Sequence, residues 1–143
     1  MNTYFDTSAL AKKYVREPGS EEIIKLWRAS TAVFTSAVTY AEMMASLHRK
    51  RREVVVPVRT FERLLVSFRE DWQSFHWVEV SERLHPAIDR LVATSPLRGF
   101  DAIHLASAFL IYQTIPTDFV FACFDQQLLR AARREGLPTF PES

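Results

Sequence analysis

Short apolar runs alternate along the chain with longer stretches in which apolar residues recur every three or four positions. The first run, Thr3-Tyr4-Phe5, is β-prone, and the small polar residues Asp6, Thr7 and Ser8 after it suit the start of a helix over 9–15. Glu17, Pro18 and Gly19 break the pattern. Ser20 then stands as an N-cap, with Glu21 and Glu22 in a first turn whose dipole favours carboxylates, and the helix should run to about Ala29. Residues 32–35 read as a second buried strand, followed by a helix over 38–52 rich in Ala, Met and Leu. Val54, Val55 and Val56 have strand character, but Pro57 follows at once. This predicts a connector and then a helix with Phe61, Leu64, Leu65, Phe68 and Trp72 on its core or interface side.

In the second half, residues 76–80 alternate as a strand does, Ser81 can cap, and Leu84, Ile88, Leu91 and Val92 mark a helix ending near Ser95 and Pro96. Gly99, Phe100 and Asp101 open another helix, apolar on most sides from Ala102 to Ile111. Residues 119–124 form a nearly unbroken apolar run, as expected of a strand covered on both faces, with Asp125 at its end. A helix from Gln126 to Glu135, Gly136 as its C′ residue and a short strand at Thr139-Phe140 complete the pattern. Strands alternating with helices predict an α/β fold, a parallel sheet with helices on both faces.

Composition narrows the picture further. With 143 residues and neither an internal repeat nor a linker, residues 1–143 read as one domain, because two halves would each be too small for a sound core. The 3 glycines and the absence of GxGxxG and GxxxxGK[ST] exclude glycine-rich phosphate loops. A single cysteine, Cys123, excludes an internal disulfide and a cysteine-based zinc site. The histidines lack HxxxH or HExxH spacing. No basic leader precedes an apolar stretch at the N-terminus, and no apolar run reaches the roughly 20 residues of a membrane helix, so a soluble, cytoplasmic protein with no membrane partner is expected. A formal charge of +1, from 18 basic and 17 acidic residues, exerts no general pull on nucleic acid.

Four acids do not sit like surface charges. Asp6 and Asp125 each follow an apolar strand, and the C-terminal strand ends are where ligand sites form in open α/β sheets. Glu42 and Asp101 lie in the first turns of otherwise apolar helices, where a carboxylate is costly unless paired, capped or metal-bound. Four converging carboxylates would repel one another unless a cation sat among them, and an oxygen-seeking divalent ion, Mg²⁺ or Mn²⁺, is the natural one. Such a site hydrolyses phosphodiesters. Taken singly, Asp6, Asp101 and Asp125 are also placed to cap the helices that follow them, and Glu42 has Arg49 two turns on as a partner; the joint pattern carries the inference. His104, one turn after Asp101, reads as a satisfied core or rim histidine rather than a ligand. Arg49, Lys50, Arg51 and Arg52 suit a helix C-terminus, and are also near enough to Glu42 to meet RNA phosphates.

The segments around these acids, 5–10, 40–42, 97–106 and 124–128 with Ala131, Ala132, Gly136 and Leu137, resemble the PIN domain, in particular the VapC-type toxins of toxin-antitoxin pairs. The resemblance implies a three-layer α/β/α fold with a central parallel sheet of roughly five short strands. It also implies a Mg²⁺- or Mn²⁺-dependent endoribonuclease, a cognate antitoxin that blocks its acidic pocket, and a homodimer. Carried over position by position, Asp6, Glu42, Asp101 and Asp125 match the family's catalytic and metal-binding acids, and Ser8 matches a small hydroxyl that orients a ligand or water. Where the family often has a small hydroxyl two places before the fourth acid, this chain has Cys123, which predicts weaker hydrogen bonding around Asp125. The reaction implied is hydrolysis of RNA by a metal-activated water, leaving 5′-phosphate and 3′-hydroxyl ends. The same residues leave two other classes open: a catalytically silent PIN-fold interaction module, and an aspartyl-phosphate acceptor. The second is disfavoured because Ser8 stands where a DxD pair needs its second aspartate.

Overall fold

The backbone alternates strands and helices as the apolar pattern requires. In the computed structural model, which describes residues 1–142, the strands are β1 (Asn2–Phe5), β2 (Ala32–Ser36), β3 (His76–Val78), β4 (Phe119–Ala122) and β5 (Thr139–Phe140). The helices are α1 (Thr7–Tyr14), α2 (Ser20–Ala29), α3 (Thr39–Glu53), α4 (Val58–Ser74), α5 (His85–Thr94), α6 (Gly99–Thr114) and α7 (Gln126–Arg134), with a 3₁₀ turn at Glu82–Leu84 before α5. All strand pairs are parallel, in the order β3-β2-β1-β4-β5.

β1 is central and sends its side chains to both faces in turn. Tyr4 stacks on Phe121 at 5.6 Å and packs with Leu84, Leu91, Leu105 and Leu128, the layer built by α5, α6 and α7. Phe5 and Ala122 turn the other way, to Leu10, Ile23, Met43, Leu47 and Phe68 of α1 to α4. Burial on both faces explains why these strands are short and almost wholly apolar. The result is the three-layer α/β/α sandwich. By the same alternation Asp6, just past β1, shares the face of Tyr4.

Strand order also decides where a ligand can enter. From β1 the chain steps outward through β2 to β3, then returns to the other side of β1 for β4 and β5. The direction reverses between β1 and β4, and at such a switch point the connections diverge and leave a crevice outside the strand ends.

Several boundaries differ from the sequence expectation. Ser20 lies inside α2, whose N-cap is Gly19 in the left-handed conformation at φ +96°. The Ser20 hydroxyl instead accepts from the Glu17 amide at 3.0 Å and donates to the Val15 carbonyl at 3.2 Å, locking the turn from inside. The apolar run after β4 leaves the strand at Cys123, although the Cys123 amide still bonds the Phe140 carbonyl at 3.0 Å. Residues 54–56 form the expected connector, with Pro57 as the N-cap of α4 and Phe61 and Phe68 buried beyond it. Among the described residues no helix is long and apolar enough to cross a membrane.

Gly19 should be irreplaceable for two reasons. Its φ is unfavourable for an L side chain, and a Cβ there would stand 3.0 Å from the Phe124 ring and 3.1 Å from Lys12 Cδ. Gly19→Ala is therefore expected to cost about 1–2 kcal/mol of stability in urea unfolding. An unchanged midpoint would show that the turn relaxes freely.

Candidate active site

Two of the four acids are positioned by a local rule of backbone chemistry. Asp6 is the N-cap of α1: its Oδ1 accepts from the Ala9 amide at 2.9 Å. Asp125 is likewise the N-cap of α7, accepting from the Leu128 amide at 2.9 Å. Asp101 occupies the third position of α6, inside its first turn, and the N-cap of that helix is Arg98. The capping readings of Asp6 and Asp125 are thus real, whereas Asp101 lies within α6 and is not its cap residue. They also explain the placement, because a capping carboxylate is held at the helix N-terminus with lone pairs to spare. Glu42, one turn into α3, caps nothing. Its Oε1 accepts from Thr7 Oγ1 at 2.6 Å and from His104 Nε2 at 2.7 Å, so its partner is His104 rather than Arg49.

A hydroxyl joins the two strand ends. Ser8 Oγ donates to Asp6, at 2.7 Å from Oδ1 and 2.9 Å from Oδ2, and accepts from the Phe124 amide at 3.0 Å. Its one proton thus orients the Asp6 carboxylate, and its lone pair ties that carboxylate to the loop carrying Asp125. Cys123 stands beside it. The Asp125 amide donates to Cys123 Sγ at 3.3 Å, so the sulfur occupies the hydroxyl's position against the Asp125 backbone with the longer reach of a thiol. Burial, followed by the Asp6 charge, pushes the thiol far above its ordinary pKa, so it remains protonated and inert as a nucleophile.

His104 is the hub. It is 2% exposed, with Nδ1 at 2.9 Å from the Tyr4 hydroxyl and Nε2 on Glu42. The Nε2 proton goes to Glu42, leaving Nδ1 to the Tyr4 hydroxyl, whose pKa is raised well above 10 by burial and then by Asp6. Asp6, Glu42 and Asp101 all feel the His104 ring.

The acids divide by environment. Burial raises the Asp6 pKa above its usual 3.8, against the opposing His104, Ala9, Ser8 and Cys123. Burial also raises Asp101, and repulsion from Asp125 adds to it. For Glu42, burial acts upward too, but the hydrogen bonds from His104 and Thr7 outweigh it and hold the carboxyl below 4.5.

Of the four acids only Glu42 lines the adjoining cleft of about 560 Å³, together with Thr7, Ser8, Lys12, Arg49, Lys50, Phe100 and Phe124; Asp6, Asp101 and Asp125 are not part of its lining. Arg51 and Arg52 do not line it, and Arg51 lies over the Phe61 ring at 5.1 Å. Helical phase turns Arg51 to the far side of α3, whereas Arg52, one turn beyond Arg49, lies too far along the helix to reach the cleft lined by 42, 45, 46, 49 and 50. The cleft also holds Glu17, which takes Lys12 at 3.2 Å and Lys50 at 2.9 Å. Burial works against its charge, but these two lysines outweigh it and lower the Glu17 pKa.

A family model described as the PIN domain matches residues 3–134. The chain belongs to the PIN domain family. Ribonuclease VapC45 of Mycobacterium tuberculosis is 31% identical over 143 residues, covering 96% of this chain and 94% of that protein. Among solved structures, FitAcB from Neisseria gonorrhoeae aligns with a TM-score of 0.68 at 14% identity, covering 96% of this chain and 95% of that one. A toxin-antitoxin complex from Klebsiella pneumoniae aligns at 0.62 and 18%, covering 87% and 88%. At those identities the structures speak for the fold alone, and they agree with the three-layer PIN arrangement.

As a donor set, the acids of this PIN domain suit a hard divalent cation. All four are carboxylates, two are driven toward protonation by burial and repulsion that a cation would relieve, and Glu42 Oε2 has no protein partner among the described residues. Among the described residues no three His, Cys, Asp or Glu side chains stand close enough together to hold a metal ion, so the structure does not bring the four acids into one coordination sphere. Thr7, Tyr4, His104 and Glu17 escaped the sequence reading as parts of this site. For Thr7 the signal was its place beside Asp6 in the strand-to-helix elbow; for Glu17 and Tyr4 no local pattern pointed to it.

Proposed function

We propose that residues 1–143 form one nuclease domain, a Mg²⁺- or Mn²⁺-dependent endoribonuclease that acts in the cytoplasm as the toxin of a toxin-antitoxin pair, as a homodimer. Asp6, Glu42, Asp101 and Asp125 are its catalytic and metal-binding acids. The observation that carries the reading is the placing of Asp6 and Asp125 at the ends of β1 and β4, the switch point of the sheet, joined through Ser8. The 31% identity to a protein named as a ribonuclease supports RNA as substrate, and the likeness to a toxin-antitoxin complex supports an antitoxin partner.

Asp6, Glu42, Asp101 and Asp125 would hold the ion. When bound, it supplies Lewis acidity, making water acidic enough to attack phosphorus and neutralising charge on the departing oxygen. The remaining work belongs to the chain. Ser8 and the Ala9 amide fix the Asp6 carboxylate, while Thr7 and His104 hold Glu42 by one oxygen. Arg49, with no ion-pair partner among the described residues, is free to meet an RNA phosphate; Lys50 meets it only in competition with Glu17.

EDTA is expected to stop cleavage of RNA by the purified protein, and Mn²⁺ to restore it with 5′-phosphate ends. Mn²⁺ should also raise the melting temperature by linkage. Cleavage that persists undiminished in EDTA would overturn the metal-dependent reading.

A further inference from the structure

We propose that Phe100 is a stacking platform for an unpaired base of the RNA, making the cleft selective for single strands; this rests on the ribonuclease reading above. Phe100 is 58% exposed, and among the described residues it is the one exposed large apolar side chain that lines the cleft beside Glu42. A large apolar ring left in water in the cleft that Glu42 lines calls for a reason. It does not come from packing, since no other aromatic ring lies against it among the described residues. Trp77, the other exposed aromatic of comparable size, is stacked on Trp72 at 6.3 Å with the planes 12° apart.

The surroundings fit a base. Phe100 immediately precedes Asp101, so a ring stacked there belongs to a nucleotide at or next to the phosphate under attack. Phe124, the second aromatic of the cleft, is unsuited to the part: it is half-buried, Lys12 Nζ sits 4.7 Å from its centroid, and the Gly19 turn packs against its edge. Arg49 and Lys50 line the same cleft. An aromatic ring and cations in one cleft are how single-stranded nucleic acid is held without sequence readout, bases on the ring and phosphates on the charges. The same cations disfavour an apolar protein segment as the ring's occupant.

The test measures binding to the full-length protein in EDTA, where no cleavage occurs, using a short fluorescent single-stranded RNA of mixed sequence and an RNA of the same length that is abasic throughout. Phe100→Ala should bind the normal RNA about tenfold more weakly than wild type, whereas both proteins bind the abasic RNA alike. Phe100→Trp should restore binding and Phe100→Leu should not. With Mn²⁺ present, Phe100→Ala should raise KM about tenfold and spare kcat, the sign of binding lost equally from ground and transition states. Because Phe100 is exposed, these variants fold. Equal affinity of Phe100→Ala and wild type for normal RNA would overturn the stacking role while leaving the nuclease reading intact. The stacking role falls equally if Phe100→Ala weakens a protein partner and spares RNA, since the ring is then a protein contact. A wild-type protein that neither binds nor cleaves RNA would remove both readings together.

Discussion

Asparagine in place of Asp6 or Asp101 is expected to slow RNA cleavage about a thousandfold, the loss of about 4 kcal/mol of transition-state stabilisation that a well-held divalent ion supplies. The fold should survive. Asn is a good N-cap, so the bond from the Ala9 amide is kept at position 6. At position 101 the change should even stabilise the protein in EDTA. Burial and Asp125 raise the Asp101 pKa, so the ionised form costs the folded state free energy at neutral pH. Asp101 is half exposed and solvent screens the repulsion, so the gain in melting temperature is small, about 2 °C. It should fade as the pH falls toward 3.8, where the acid is protonated in folded and unfolded chains alike. Activity lost together with stability gained marks a site whose charges serve chemistry. Wild-type rates in both variants would remove these acids from the reaction.

His104→Ala is expected to have the second largest effect, and on two observables. It leaves a cavity beneath α6 and strips Tyr4 and Glu42 of their common partner in a buried setting, a loss of about 3 kcal/mol in urea unfolding. Glu42 then keeps only Thr7, and cleavage should fall by about 10- to 100-fold, the usual cost of losing a group that orients a metal ligand. His104→Gln separates the two roles. Its amide can still donate to Glu42, so it should recover much of the rate and of the Mn²⁺ affinity measured by calorimetry, even where stability is not regained. Equal rates for His104→Ala and wild type would reduce His104 to a packing residue.

The strands, the helices and the two strand-end acids were legible because each leaves a local trace. Burial of both faces shows as the unbroken run before Asp125, and helical phase shows as the spacing of Phe61, Leu64, Phe68 and Trp72. Phase would also have separated Arg49 from Arg51. What the sequence hid is long-range. Tyr4 meets His104 across 100 positions, Glu42 meets His104 across 62, and Ser8 meets Phe124 across 116, and no period in the chain encodes such pairings. The Ser20 expectation failed for a different reason: Gly19 turned left-handed and took the capping position itself.

The centre of the sheet is made first and completed late. β1 leaves the ribosome at once, but its partner β4, whose register sets Asn2 against Phe119, is among the last segments synthesised. Ser8 waits for the Phe124 amide, and Asp101 for the charge of Asp125. A nascent chain therefore carries Asp6 for more than a hundred residues before Asp125 follows it, and the two strand ends join only once β4 and Phe124 have emerged. Timing alone would keep such a nuclease inert toward the messenger and ribosome that are making it.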